Sequence, residues 1–106
     1  MIFDLRIYDL KPGMVPEYMA AVRELAKPIR EKYGVNLVSW YYTEVGVLNR
    51  VYHTWAYRDY AHLEEARGQF RNDPDWKGKY LPRVVPLIVR QSNQLVLASD
   101  FSPPVL

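Results

Sequence analysis

The chain has 106 residues, 49% of them hydrophobic and 25% charged, which is the size and usage of one globular domain with one core and excludes both disorder and a spanning apolar segment. Its formal net charge of +2, spread along the chain, is too weak a field to indicate nucleic-acid binding. With no cysteine there is no disulfide framework, no thiolate nucleophile and no cysteine metal ligand.

The first segment, MIFDLRIYDL, lacks the basic flank and apolar run of a secretory signal, so the expected compartment is the cytoplasm. Phe3, Leu5 and Ile7 alternate with Asp4, Arg6 and Tyr8 at the period of a strand with one face on a core. Lys11-Pro12-Gly13 is a turn. After it Met14, Tyr18, Ala21, Val22, Leu25, Ile29 and Tyr33 recur at helical steps, with Pro16 suited to the first turn and Gly34 to the carboxyl-side cap. Pro28 should kink this helix or loosen its last turns.

Residues 35–44 and 49–57 are rich in β-branched and aromatic side chains and read as an antiparallel hairpin. Pairing Glu44 with Asn49 sets Tyr42 opposite Val51, Trp40 opposite His53 and Val38 opposite Trp55 on one face, with Ser39, Tyr41, Tyr52 and Thr54 on the other. Asp59 caps a helix through about Phe70, with Leu63, Ala66, Arg67 and Phe70 at helical spacing. Asp73-Pro74 starts a second stretch with Trp76, Tyr80, Leu81 and Val84 on its apolar side, ended or distorted by Pro82 and Pro86. Residues 87–97 read as the last strand, and an extended tail from about residue 100 includes Phe101-Ser102-Pro103-Pro104.

The order β-α-β-β-α-β predicts a single ferredoxin-like α+β domain over residues 1–106, a two-layer sandwich with antiparallel sheet order 4-1-3-2 and both helices on one face. Phe3, Leu5 and Ile7 are expected beneath the helices. The open face then collects Arg6, Tyr8, Trp40, Tyr42, His53 and Trp55, which is too aromatic to stand bare in water. The chain also carries nine Tyr, three Trp and three Phe, more rings than a small core needs. A second copy covering that face is the economical reading, with a small-molecule cleft as a by-product.

The segments FDLRIYDLKPG, SWYYTEVGVLNRVYHTWAY and RNDPDW resemble the NIPSNAP family, and the resemblance covers nearly the whole chain. It implies membership of the dimeric α/β-barrel superfamily, whose ferredoxin-like domains join through their open sheet faces. It implies no common activity, since related dimeric barrels include cofactor-independent monooxygenases, haem-degrading enzymes and simple binders.

His53 suits a general acid or base, but with no carboxylate or nucleophile placed beside it the favoured reading is a neutral histidine satisfied inside an interface. Arg6 suits a ligand's carboxylate or phosphate, or an ion pair with Glu44, or stacking on Trp55. Tyr8, Trp40, Tyr42 and Trp55 would wall a partly apolar ligand or simply fill an interface. His53 and His62 lie on different elements with no supporting ligands, so neither a metal nor a cofactor is expected. Lys77, Lys79 and Arg83 read as a solvated basic stripe. The expected function is binding of a small, partly apolar molecule in a cleft on the sheet face, with a non-enzymatic accessory module or a cofactor-free monooxygenase-like enzyme as alternatives.

Overall fold

The fold is taken from a computed structural model that describes residues 1–103. It runs β1 (Ile2–Leu10), α1 (Val15–Ala21), α2 (Lys27–Lys32), β2 (Asn36–Tyr42), β3 (Arg50–Tyr57), α3 (Tyr60–Arg71), α4 (Leu81–Val84) and β4 (Ile88–Val96). All neighbours in the sheet are antiparallel, in the order β2-β3-β1-β4, which is the ferredoxin-like arrangement expected from the element order. No helix among the described residues is long and apolar enough to cross a membrane.

Local chemistry accounts for the element ends. The Asp59 side chain accepts the His62 amide hydrogen at 2.7 Å and caps α3. At the end of α2, Gly34 (φ +81°) donates its amide to the Glu31 carbonyl at 3.0 Å, and Val35 donates to the Arg30 carbonyl at 3.0 Å. These two bonds form a Schellman closure, which needs a left-handed residue after the helix. The closure fixes the last turn of α2, the turn that carries Arg30.

Each of two prolines follows a widened helical turn. Between α1 and α2, Val22–Ala26 is π-helical, and Lys27 donates its amide to the Val22 carbonyl, five residues back. Trp76–Tyr80 repeats the device, with Leu81 donating to Trp76. Pro28 and Pro82 come one residue later; each lacks an amide hydrogen and clashes with a carbonyl four residues earlier in an ordinary α-helix. A wider turn before the ring accommodates both defects.

The hairpin register is as the sequence predicts for Tyr42↔Val51, Trp40↔His53, Tyr41↔Tyr52 and Ser39↔Thr54. A bulge then interrupts it, so that Leu37 and not Val38 faces Trp55, and Val38 is 40% exposed. The expected tail begins with a turn, Ser102 donating its amide to the Ser99 carbonyl at 3.2 Å; Pro104 lies outside the described residues.

One expectation is reversed. The helices cover the face that carries Asp4, Arg6, Tyr8, Val51, His53, Trp55 and Tyr57, while Phe3, Leu5, Ile7, Tyr41, Tyr52 and Thr54 share the open face. Period-two alternation fixes which residues share a face and not which side that face takes. The polar set tolerates burial because it is internally bonded. Arg6 Nη1 donates to Asp4 Oδ2 at 2.8 Å, Arg6 Nε donates to Tyr8 Oη at 2.6 Å, and Asn93 Nδ2 donates to Asp4 Oδ1 at 3.0 Å.

Replacing Gly34 with alanine places a Cβ in the left-handed region, 3.4 Å from His62 Nε2. The expected loss is about 1–2 kcal/mol of stability in urea unfolding. An unchanged midpoint would contradict the role given to the α2 closure.

Candidate functional site

Helices and sheet do not close on one another completely. Between them lies a cavity of about 330 Å³, lined from β1 by Asp4, Arg6 and Tyr8 and from β3 by His53, Trp55 and Tyr57. Both widened turns reach it, through Val22, Ala26, Trp76 and Tyr80. Leu63, Phe70, Val84 and Ile88 add apolar wall. Its volume and its mix of rings with a few polar groups make it the candidate site.

Arg30 is the central polar group. It is 7% exposed, and its guanidinium carbon lies 4.3 Å from the Trp55 ring centroid, 4.8 Å from Phe70 and 5.4 Å from Trp76. Its Nε and Nη1 are buried with no hydrogen-bond partner among the described residues. Buried donors in proteins are nearly always satisfied, so two unpartnered donors on one buried cation make Arg30 a candidate to meet a ligand; Trp40 Nε1, outside the cavity lining, is also buried without a partner among the described residues.

His53 is buried between Trp40, Tyr8 and Trp55, stacked on the first and edge-on to the other two. Trp55 Nε1 donates to His53 Nδ1 at 2.7 Å. An imidazole nitrogen that accepts carries no hydrogen, so the proton of the neutral ring sits on Nε2, which is also buried and unpartnered. Burial, followed by the charges of Arg30 and Arg6, holds the His53 pKa well below its ordinary value. At neutral pH His53 is therefore a neutral ring in the cavity wall, with an unused donor at Nε2, and not a cation.

The six residues expected at the site are not brought together equally. Arg6, Tyr8, His53 and Trp55 line the cavity. Arg6 is held by Asp4 and Tyr8, not by Glu44, and the arginine stacked on Trp55 is Arg30. Trp40 lies behind the wall, stacked on Tyr18 and His53, and Tyr42 is 51% exposed at the strand end. All belong to the helix side of their strands, in contrast to the open-face placement read from the sequence.

Sequence reasoning missed Arg30, Arg71 and Lys77 as cavity residues. The signal for Arg30 was its phase, four residues after Ala26 and eight after Val22 on the buried side of the helix. Lys77 was read as one of a solvated stripe. Lys79 and Arg83 do pair with Asp75 and Glu24, whereas Lys77 reaches the cavity.

The lowered His53 pKa gives a pH dependence with a definite sign. As pH falls through about 6.5 the unfolded chain protonates this ring while the folded chain does not, so the unfolded state binds more protons and stability drops below that pH. Thermal melts from about pH 7.5 down to about pH 5 should show a falling Tm, with a shallower fall in His53→Gln. Parallel curves for the two proteins would contradict the buried neutral ring.

Comparison with known proteins agrees with this architecture. The human protein NipSnap homolog 2 is 30% identical over 103 residues, covering 96% of this chain and 35% of that protein. The chain thus spans 38% and 35% of the length of two curated relatives it matches and 19% of a third, from Caenorhabditis elegans. A solved NIPSNAP family protein from Agrobacterium tumefaciens is 35% identical, covers 96% of each chain and superimposes with a TM-score of 0.87. At the level of fold alone, a dimeric ferredoxin-like protein from an uncultured marine organism is 7% identical with a TM-score of 0.69, covering 96% of this chain and 97% of its own. The NIPSNAP family model matches residues 3–103, and the chain belongs to that family.

Proposed function

We propose that this domain binds a small, partly apolar molecule in the cavity between its sheet and its helices, and that its open sheet face joins a second copy of the chain. The observation that carries the first part is the coincidence of an aromatic-walled cavity of about 330 Å³ with buried, unpartnered donors on Arg30 and His53. A space kept only by imperfect packing would be lined with apolar atoms, because unpartnered polar groups are costly there.

Binding without proton transfer is the better reading of His53. Its pKa is pushed down, and its Nδ1 is engaged by Trp55. The cavity's one carboxylate, Asp4, accepts from Arg6 and Asn93. A base needs an available nitrogen and a group that stabilises its charged form.

The open face supports self-association. Phe3, Leu5 and Ile7 on β1, Tyr52 on the adjacent β3 and Tyr41 on β2 beyond it form an apolar strip; Leu5 is 36% exposed and Tyr41 65%. Such a strip usually marks an interface, and two-fold association lets one patch cover itself. Trp55, at 1% exposure, lies on the other side of the sheet, so its ring belongs to the core and cavity wall.

Sedimentation at micromolar concentration should give a dimer for the wild type and a monomer for Leu5→Asp, because a charge on the shared face is left unpaired. A stable wild-type monomer would overturn the association. For the cavity, saturable quenching of tryptophan fluorescence by a small aromatic molecule, lost in Ala26→Trp, supports the site. Retention of binding in that filled variant would refute it.

A further inference from the structure

The charge around the cavity is unbalanced. Arg6, Arg30, Arg67, Arg71 and Lys77 line it, and Asp4 is the one carboxylate among the lining residues. Asp4 is occupied by Arg6 at 2.8 Å and by Asn93 at 3.0 Å. Five cations less the one so paired leaves four, and none of these makes an ion pair among the described residues.

Their depths differ. Arg30 lies within the aromatic wall, whereas Arg71 and Lys77 are exposed and mark the mouth. The cations also feel one another: burial first, then the charges of Arg67, Arg6 and Arg30, lower the Arg71 pKa. A protein with no use for this field would have alternated the signs.

Resting on the cavity as binding site, we propose that its ligand is an organic anion with a carboxylate head and an apolar body, the head meeting Arg30 and the Nε2–H of His53 and the body lying among Tyr18, Trp76 and Tyr80. One deep guanidinium supplies a single full charge, and the neutral His53 adds a donor without adding charge. That inner set matches a monoanion with two acceptor oxygens. A phosphate monoester, with about two charges and three acceptor oxygens, would leave charge uncompensated among the rings. Arg67, Arg71 and Lys77 at the outer end attract and orient the anion as it enters.

The role also accounts for the unfavourable placement of Arg30. A cation enclosed by Trp55, Phe70 and Trp76 with idle donors is kept for a ligand more readily than for stability. Arg30→Met should then leave Tm unchanged or raise it while removing anion binding.

The test titrates the purified full chain with naphthalene-2-carboxylate, 4-phenylbutyrate and octanoate, and with their neutral amides, following tryptophan fluorescence and calorimetry. At least one acid should bind, its amide at least about tenfold more weakly, and Arg30→Met should weaken the acid by at least about tenfold without weakening the amide. Arg71→Gln, at an exposed position, should cost about threefold and flatten the salt dependence. An amide that binds as well as its acid overturns the anion assignment and leaves the small-molecule site standing. Binding of neither series overturns both, and unaltered acid binding in Arg30→Met overturns the place given to Arg30.

Discussion

A guanidinium buried beneath three aromatic rings organises this domain. Arg30 comes from α2, Trp55 from β3, Phe70 from α3 and Trp76 from the widened turn after it, so one contact set joins both helical segments to the centre of the sheet. Magnitudes show what kind of contact this is. Each cation–π approach contributes about 0.5–2 kcal/mol, and withdrawing an ion from water costs several kcal/mol. The rings offset much of that cost without supplying the hydrogen bonds that Nε and Nη1 lack. The side chain therefore touches helices and sheet at little net gain in stability, and it leaves its donors unused beside the cavity.

The backbone is shaped to keep that space open. Pro28 and Pro82 stand on different segments, yet both are preceded by a π-helical turn, and both turns contribute wall residues to the same cavity. A π turn bulges one residue outward relative to an α turn, and both bulges here border the cavity. The Schellman closure at Gly34 stops α2 one turn beyond this region and sets the direction in which Arg30 leaves the helix. Proline, glycine and a buried cation thus act on one feature.

Much of this was legible in the sequence, for physical reasons that can be named. Alternation on β1, the hairpin pairing of Trp40 with His53, the Asp59 cap and the disturbing effect of both prolines are local, and local chemistry survives into the fold. The side of the sheet taken by each face was not legible. Phe3, Leu5 and Ile7 make the more apolar set, and burial beneath helices was the natural inference. The set Asp4, Arg6 and Tyr8 displaces them because its polar atoms bond to one another and to Asn93, nearly ninety residues away. Arg30 escaped for a related reason: an arginine in phase with small apolar residues looks like an interruption of a stripe until three rings converge on it from other elements.

The two faces of the sheet differ, one bordering the cavity and the other an apolar strip that we propose is covered by a second copy. His53 and Trp55 lie on the cavity side and Leu5 and Ile7 on the open side, so under this proposal substitutions for ligand binding and for association are separable. A crystal structure of the protein as purified tests this division most directly. The account predicts a two-fold partner seated on Phe3, Leu5, Ile7 and Tyr52, with the space beside Arg30 and His53 enclosed between sheet and helices and reached past Arg71. A partner packed over Arg71 and Lys77, with the Leu5 face bare to solvent, would contradict it.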